Sequence, residues 1–98
     1  MAKKGYLVSA YRSIKDPDKL AAYAKLAGPA FAKYGAKYLV RDTAAQAYEA
    51  GVKQRTVIVE FESVEKAVAA HDSPDYQAAL KVLDGAVERD MRIVEGLE

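Results

Sequence analysis

The sequence predicts a single α+β domain in which four strands and two helices follow the order βαββαβ, both helices lying on one face of an antiparallel sheet. Three observations carry this. The run QRTVIVEFE, from Gln54 to Glu62, sets β-branched residues in a row and reads as a strand buried on both sides. Asp16-Pro17 and Ser73-Pro74 each join a capping oxygen to a residue whose fixed φ suits the first turn of a helix. At 98 residues, with no linker or low-complexity tract, residues 1–98 have room for one compact domain and one core.

The elements follow in order. Gly5 to Arg12 is rich in Tyr, Leu and Val and predicts a first strand, apolar or aromatic on both faces (Tyr6, Val8, Ala10 and Leu7, Ser9, Tyr11). After Asp16-Pro17 comes a helix whose apolar face is Leu20, Tyr23, Ala24, Ala27, Phe31 and Tyr34. Gly28-Pro29 falls inside that pattern and predicts a kink, with the helix resuming to Tyr34 and stopping at Gly35. Ala36 to Arg41 is a second strand. The alanine-rich stretch from Asp42 to Gly51 fits either its continuation along an edge or a short irregular arm.

In the third strand, Val57, Val59 and Phe61 are expected to face the helices, and Thr56, Ile58 and Glu60 to face away. Ser63 caps a second helix with a face of Val64, Ala67, Val68 and His71. Ser73-Pro74 restarts it, and Tyr76, Ala79, Leu80 and Leu83 continue apolar until Gly85. Arg89 to Glu95 is the last strand. Two β-α-β units in succession make the split, ferredoxin-like plan. Its helices cover one side of the sheet, so the other side would expose Ile58 and half of the apolar first strand. A second copy packed sheet to sheet is the simplest cover, and the chain is expected to be a homodimer.

Composition removes several function classes. Fifteen basic residues balance fourteen acidic ones, and no basic run exceeds Lys3-Lys4, so nucleic acid is not an expected partner. The N-terminus lacks the apolar run of a signal peptide or membrane span, and a membrane is not expected either. There is no cysteine, which excludes disulfides and thiolate metal sites and is compatible with a cytoplasmic location. With one histidine, no metal is expected. No Gly-rich phosphate loop, dinucleotide fingerprint or Gly-x-Ser-x-Gly elbow occurs, so no nucleotide cofactor is implied and any activity would be cofactor-free.

The segments GYLVSAYRSIKDP, AAYAKLAGPAFAKYGAKYLVRD, YEAGVKQRTVIVEFESVEKA, HDSPDYQAAL and RDMRIVEG together resemble the bacterial domain of unknown function 1330 family, part of the dimeric α/β-barrel superfamily. The Asp-Pro helix start, the KYG turn, the VIVEF strand, the SPDYQ restart and the terminal IVEG coincide in order and spacing. The resemblance implies ferredoxin-like chains whose sheets pair into a barrel, and little about activity. The wider superfamily includes antibiotic-biosynthesis monooxygenases, haem-degrading monooxygenases, muconolactone isomerases and chlorite dismutases, which hold small ligands between sheet and helices or inside the barrel. FESVEKAVAAHDSPDY is similar to the monooxygenase pattern of strand, helix and His before a Ser/Thr-Pro pair, which implies shared architecture more than shared chemistry.

Five residues are candidates for chemistry. His71, the only histidine, falls on the apolar face near the end of the second helix. It is either a packing residue bonding the last free carbonyls or a cleft acid or base. Its neighbour Asp72 is expected to point elsewhere on the helix. Glu60 interrupts the most apolar strand and needs a cation or the rim. If Met91 and Ile93 face the helices, Arg92 shares the away face with Glu60, and Arg12 ends the first strand; these are its expected partners, either in a dimer-interface bridge or as substrate-binding cations. Seven tyrosines supply apolar area with a polar tip; core and interface packing explains most, and Tyr76, for which packing is also the first expectation, is the one placed to turn its hydroxyl toward the cleft beside His71. Lys53 and Arg55 read as solvated charges or as rim charges for an acidic ligand.

Two functions of different class remain. One is a homodimeric small-molecule protein acting on a small, partly apolar or acidic compound, in its enzymatic form isomerase- or monooxygenase-like, with His71 or Glu60 moving a proton and Arg12 or Arg92 holding an oxyanion. The other is a non-catalytic binding or assembly module whose polar barrel residues fix the dimer register.

Overall fold

The computed structural model describes residues 3–97. Its elements are β1 (Gly5–Ile14), α1 (Pro17–Ala32), β2 (Lys37–Thr43), β3 (Arg55–Phe61), α2 (Val64–Asp72), α3 (Pro74–Leu83) and β4 (Val87–Glu95). The strands form one antiparallel sheet in the order β2-β3-β1-β4, the ferredoxin-like arrangement that βαββαβ predicts. The second helix is present as two, α2 and α3, hinged at the Ser-Pro pair.

The caps are those the sequence signals. Asp16 accepts the amides of Asp18 and Lys19, both at 3.1 Å, and Pro17 opens α1. The Ser63 side chain accepts the Lys66 amide at 3.1 Å. Ser73 serves two helices: its hydroxyl donates to the Ala70 carbonyl at the end of α2 and accepts the Tyr76 amide at the start of α3. Gly35 and Gly85, with φ of +75° and +71°, supply the left-handed turns that follow α1 and α3.

Two local expectations are corrected. Helix α1 runs unbroken through Gly28-Pro29 and ends at Ala32, before Tyr34. A proline disfavours helical backbone at the preceding residue partly through that residue's Cβ, and Gly28 has none. On α2 the buried residues are Ala67 and Ala70, while Val68 is 41% exposed, so the inward face is rotated from the one expected. Small side chains there let α2 approach the sheet closely.

The core fills the space between helices and sheet. Phe31 stands edge-on to Phe61, with centroids 5.6 Å apart, and stacks on Tyr76 at 4.4 Å. Leu7, Val59, Phe61 and Tyr76 are almost fully buried, and Val57, Met91 and Ile93 pack against them as the strand alternation predicts.

The opposite face carries no helix. Val8 pairs in register with Ile58, and Ile58 with Val40, giving an apolar row across three strands. Tyr6 and Val94 stand beside it, and a register shift between Tyr38 and Val40 adds exposed Leu39. The molecule is a slab only 15 Å thick in its short dimension.

Gly5 sits where α2 begins. A Cβ on it would come within 2.5 Å of the Ser63 carbonyl oxygen, a backbone atom that cannot move aside cheaply. Gly5→Ala is therefore expected to destabilise the fold by about 1–3 kcal/mol, read as an earlier transition in thermal or urea unfolding; an unchanged midpoint would refute the close approach.

Candidate functional site

The strand register brings an unusual set of side chains to the helix-facing side of the sheet. Tyr11 pairs with Arg89, and on the other flank Arg55 precedes the Thr56 that pairs with Ala10. Arg55 has the parity of Val57 and Val59, and Arg89 that of Met91 and Ile93, so both point toward the helices. Arg41 joins them because it pairs with Val57 beyond the irregularity in β2. Helix α1 adds Tyr23, and α3, positioned by its Ser73 cap, adds Tyr76.

These groups form one network. Arg89 donates Nη1 to the hydroxyls of Tyr11 (2.9 Å) and Tyr23 (3.3 Å), and Nη2 to that of Tyr76 (3.2 Å). The Tyr23 and Tyr76 oxygens lie 2.6 Å apart and share a hydrogen. The guanidinium also lies 5.0 Å from the Tyr23 ring centre and 5.4 Å from that of Tyr11. Burial opposes the Arg89 charge, but the three phenol oxygens more than offset it and its pKa goes up. Burial, above all, pushes the Tyr76 phenol well above its usual value, so it keeps its proton.

Beside the network is a cavity of about 40 Å³ between the sheet and α1. Its polar lining is Ser9, Tyr11, Tyr23, Tyr38 and the guanidinium groups of Arg41, Arg55 and Arg89; Leu20, Ala24 and Val57 are among its apolar walls. No carboxylate lines it, and among the described residues none of the three arginines makes an ion pair. The Arg55 Nε is buried without a hydrogen-bond partner. Arg41 lies over the Tyr38 ring at 4.9 Å, and burial raises the Tyr38 phenol.

The residues expected from sequence are distributed differently. Tyr76 is fully buried, and its hydroxyl is held by Tyr23 and Arg89; it lines neither the cavity nor the groove beside His71. His71 packs against the Tyr76 ring, centroids 5.3 Å apart, and lines a separate groove of about 250 Å³ with Leu7, Met91, Arg92 and Ile93. Contrary to expectation, Asp72 is its partner: His71 Nδ1 lies 2.9 Å from Asp72 Oδ1. Asp72 is the last residue of α2, where the ending helix lets the carboxylate fold back. Nor does the imidazole hold the terminal carbonyls, which take Ser73 Oγ and the Gln77 amide instead.

Glu60, Arg92 and Arg12 lie on the open face, on the other side of the sheet from the cavity. Glu60 accepts the Tyr6 hydroxyl at 3.1 Å, its neighbour in register, rather than an arginine. That contact raises the Tyr6 phenol. Arg92 is taken by Asp90, two residues away on the same strand, at 2.9 and 3.1 Å, and the guanidinium holds the Asp90 carboxyl below its usual range. Arg12 stands near Asp90 where the loop at 50–52 meets that face.

Arg89, Arg41 and Tyr23 as polar site residues were not singled out from sequence. Arg89 and Arg55 were recoverable by extending the inward parity of each strand by one step; Arg41 was not, because the β2 irregularity changes the parity. Removing the Tyr76 hydroxyl leaves Arg89 Nη2 short of an acceptor inside the fold. Tyr76→Phe is expected to cost about 1–3 kcal/mol in urea unfolding, and a variant as stable as the parent would show the network to be energetically idle.

Comparison with known proteins agrees with this architecture. A protein of unknown function from Rhodopseudomonas palustris superposes with a TM-score of 0.72 at 21% identity, covering 100% of this chain and 85% of that one. A dimeric ferredoxin-like protein of unknown function from Thermobifida fusca superposes at 0.62 with 14% identity, over 97% and 92% of the two chains. SnoaB, a cofactor-independent oxygenase from Streptomyces nogalater, in a mutant form, gives 0.69 at 9% identity, over 99% and 96%. These likenesses are of fold. No curated protein matches the chain. The model of the family described as a domain of unknown function, DUF1330, matches residues 4–97, and the chain belongs to that family.

Proposed function

We propose that this protein is a homodimeric small-molecule-binding protein, its ligand held in the cavity between the sheet and α1 and its two open sheet faces packed together. The observation that carries the binding reading is the cavity lining: Arg41, Arg55 and Arg89 meet at one partly open space and none has a carboxylate. Arg55 and Arg89 are part-buried, and a charge withdrawn from water without a counterion is costly. Such an arrangement is what a site for an external partner needs, and apolar walls beside a few polar groups are the usual make-up of one.

The dimer reading is supported by the apolar row of Val40, Ile58 and Val8 on a sheet face with no helix over it, and by the described dimeric state of the Thermobifida relative. Asp90 pairs with Arg92 within each chain, while the Glu60 carboxylate accepts the Tyr6 hydroxyl and keeps its charge, which two packed faces must match or leave at the rim. In this reading Glu60, Arg92 and Arg12 fix the dimer register.

A proton-moving reaction needs a base of suitable pKa beside the ligand. Neither a carboxylate nor an imidazole lines the cavity. Binding is therefore the function these residues support, in preference to isomerisation or oxygenation by His71 or Glu60.

Screening a fragment collection of neutral and charged small molecules by amide chemical-shift mapping should perturb Ser9, Tyr11, Tyr23 and Arg89 with at least one class. Saturating additions that leave those resonances fixed would sink the binding reading. Sedimentation at micromolar concentration should give a dimer, and Val8→Lys, which sets a charge at the centre of the open face, should give a folded monomer. A parent chain that sediments as a monomer would overturn the dimer reading.

A further inference from the structure

Counting hydrogens in the tyrosine cluster gives the cavity a direction. Each phenol has one hydrogen to donate. Arg89 donates to all three oxygens and so uses their lone pairs, not their hydrogens. One hydrogen lies between Tyr23 and Tyr76. Two are left: that of Tyr11 and one from the Tyr23–Tyr76 pair, and among the described residues no carbonyl or carboxylate accepts either. Tyr76 is fully buried and does not line the cavity, whereas Tyr23 does. An unmade donor is expensive where nothing can receive it. The arrangement of lower cost has Tyr76 donating to Tyr23, and Tyr23 offering its own hydrogen to the cavity.

Two hydroxyl donors therefore converge on one small space, their oxygens set against the same Arg89 nitrogen. Arg55 lines the same space and its Nε–H has no partner, and Arg41 adds a further positive charge. All of these are donors or cations. Ser9 and Tyr38 add hydroxyls that could also accept a ligand's own N–H or O–H.

From this donor set we propose that the ligand is an organic acid whose carboxylate, or an enolate of the same charge, is bound by the Tyr11 and Tyr23 hydroxyls and the Arg55 guanidinium. This rests on the binding reading above and names its ligand class. Arg89 is a positioning residue: its hydrogens are committed to the phenols, and it aims them. The space suits a compact head. At roughly 10–15 Å³ per water position, a cavity of about 40 Å³ holds about three heavy atoms, the size of one carboxylate. The rest of the acid would lie against Leu20, Ala24 and Val57 toward the mouth, which favours a short apolar body.

The test pairs acids with their uncharged isosteres: isobutyrate with isobutyramide and benzoate with benzamide, titrated against the full chain by chemical-shift mapping, with sodium sulfate as inorganic anion. At least one acid should shift the cavity resonances and bind at least about tenfold tighter than its amide, the difference a charge-assisted hydrogen bond confers. Sulfate should not displace it. In Arg55→Met and in Tyr11→Phe the acid should lose most of that advantage while amide affinity stays within about twofold; this ratio is insensitive to a general loosening of the fold. An amide binding in the cavity as tightly as its acid overturns the proposed class but leaves small-molecule binding standing. Equal competition by sulfate overturns it in favour of an unselective anion site. An acid-to-amide ratio unmoved by both substitutions overturns the donor set. Cavity resonances that respond to none of these probes overturn the proposal, and whether the binding reading falls too is decided by the broader fragment screen.

Discussion

A guanidinium held between sheet and helices with no carboxylate beside it sets the terms for much of this fold. Arg89 needs hydrogen-bond acceptors at a depth where water is scarce, and a single element could not supply them. They come from three: Tyr11 on β1, Tyr23 on α1 and Tyr76 on α3. The position of Tyr76 depends in turn on Ser73, whose one hydroxyl closes α2 and opens α3. A straight second helix would carry the phenol elsewhere. The Ser-Pro break is thus tied to the polar cluster around Arg89, and the stacking of Phe31 on Tyr76 locks the apolar core to the same side chain.

The sheet separates two kinds of surface. Toward the helices it presents cations and phenols whose donors outnumber their acceptors. Toward the open side it presents a row of aliphatic residues whose charged neighbours are already matched, Glu60 by Tyr6 and Arg92 by Asp90. Those surface pairs are exposed enough to contribute little to stability. The cavity differs from that face in gathering three guanidinium groups with no carboxylate among them, although the formal charge of the chain is only +1.

Most of the fold is legible in the sequence because its signals are local. Asp16-Pro17, Ser63 and Ser73-Pro74 cap helices through contacts two or three residues away, and Val57, Val59 and Phe61 declare their face by alternation alone. The site is less legible because it is assembled across strands. Arg89 shares parity with Met91 and Ile93, and Arg55 with Val57, yet a charge at a strand end is more readily taken as solvated than as inward. Arg41 lies beyond an irregularity that no residue in β2 announces. Glu60 was sought by arginines on paper because charge attracts attention, whereas the register sets a tyrosine opposite it. His71 stood out by being the only histidine, and scarcity in a sequence is not proximity in space.

The lining of the cavity also bears on how the protein persists in a cell. Arg41, Arg55 and Arg89 line one partly open cavity with no carboxylate among them, and like charges so placed disfavour the empty folded chain. Whatever neutralises that volume binds the folded state and not the unfolded one, and by mass action it shifts the folding equilibrium toward the native chain. A marginal domain of this size is sensitive to such a shift, since a small change in folding free energy alters steady-state abundance several-fold. If the cavity takes a ligand, the amount of this protein present would follow the supply of that ligand.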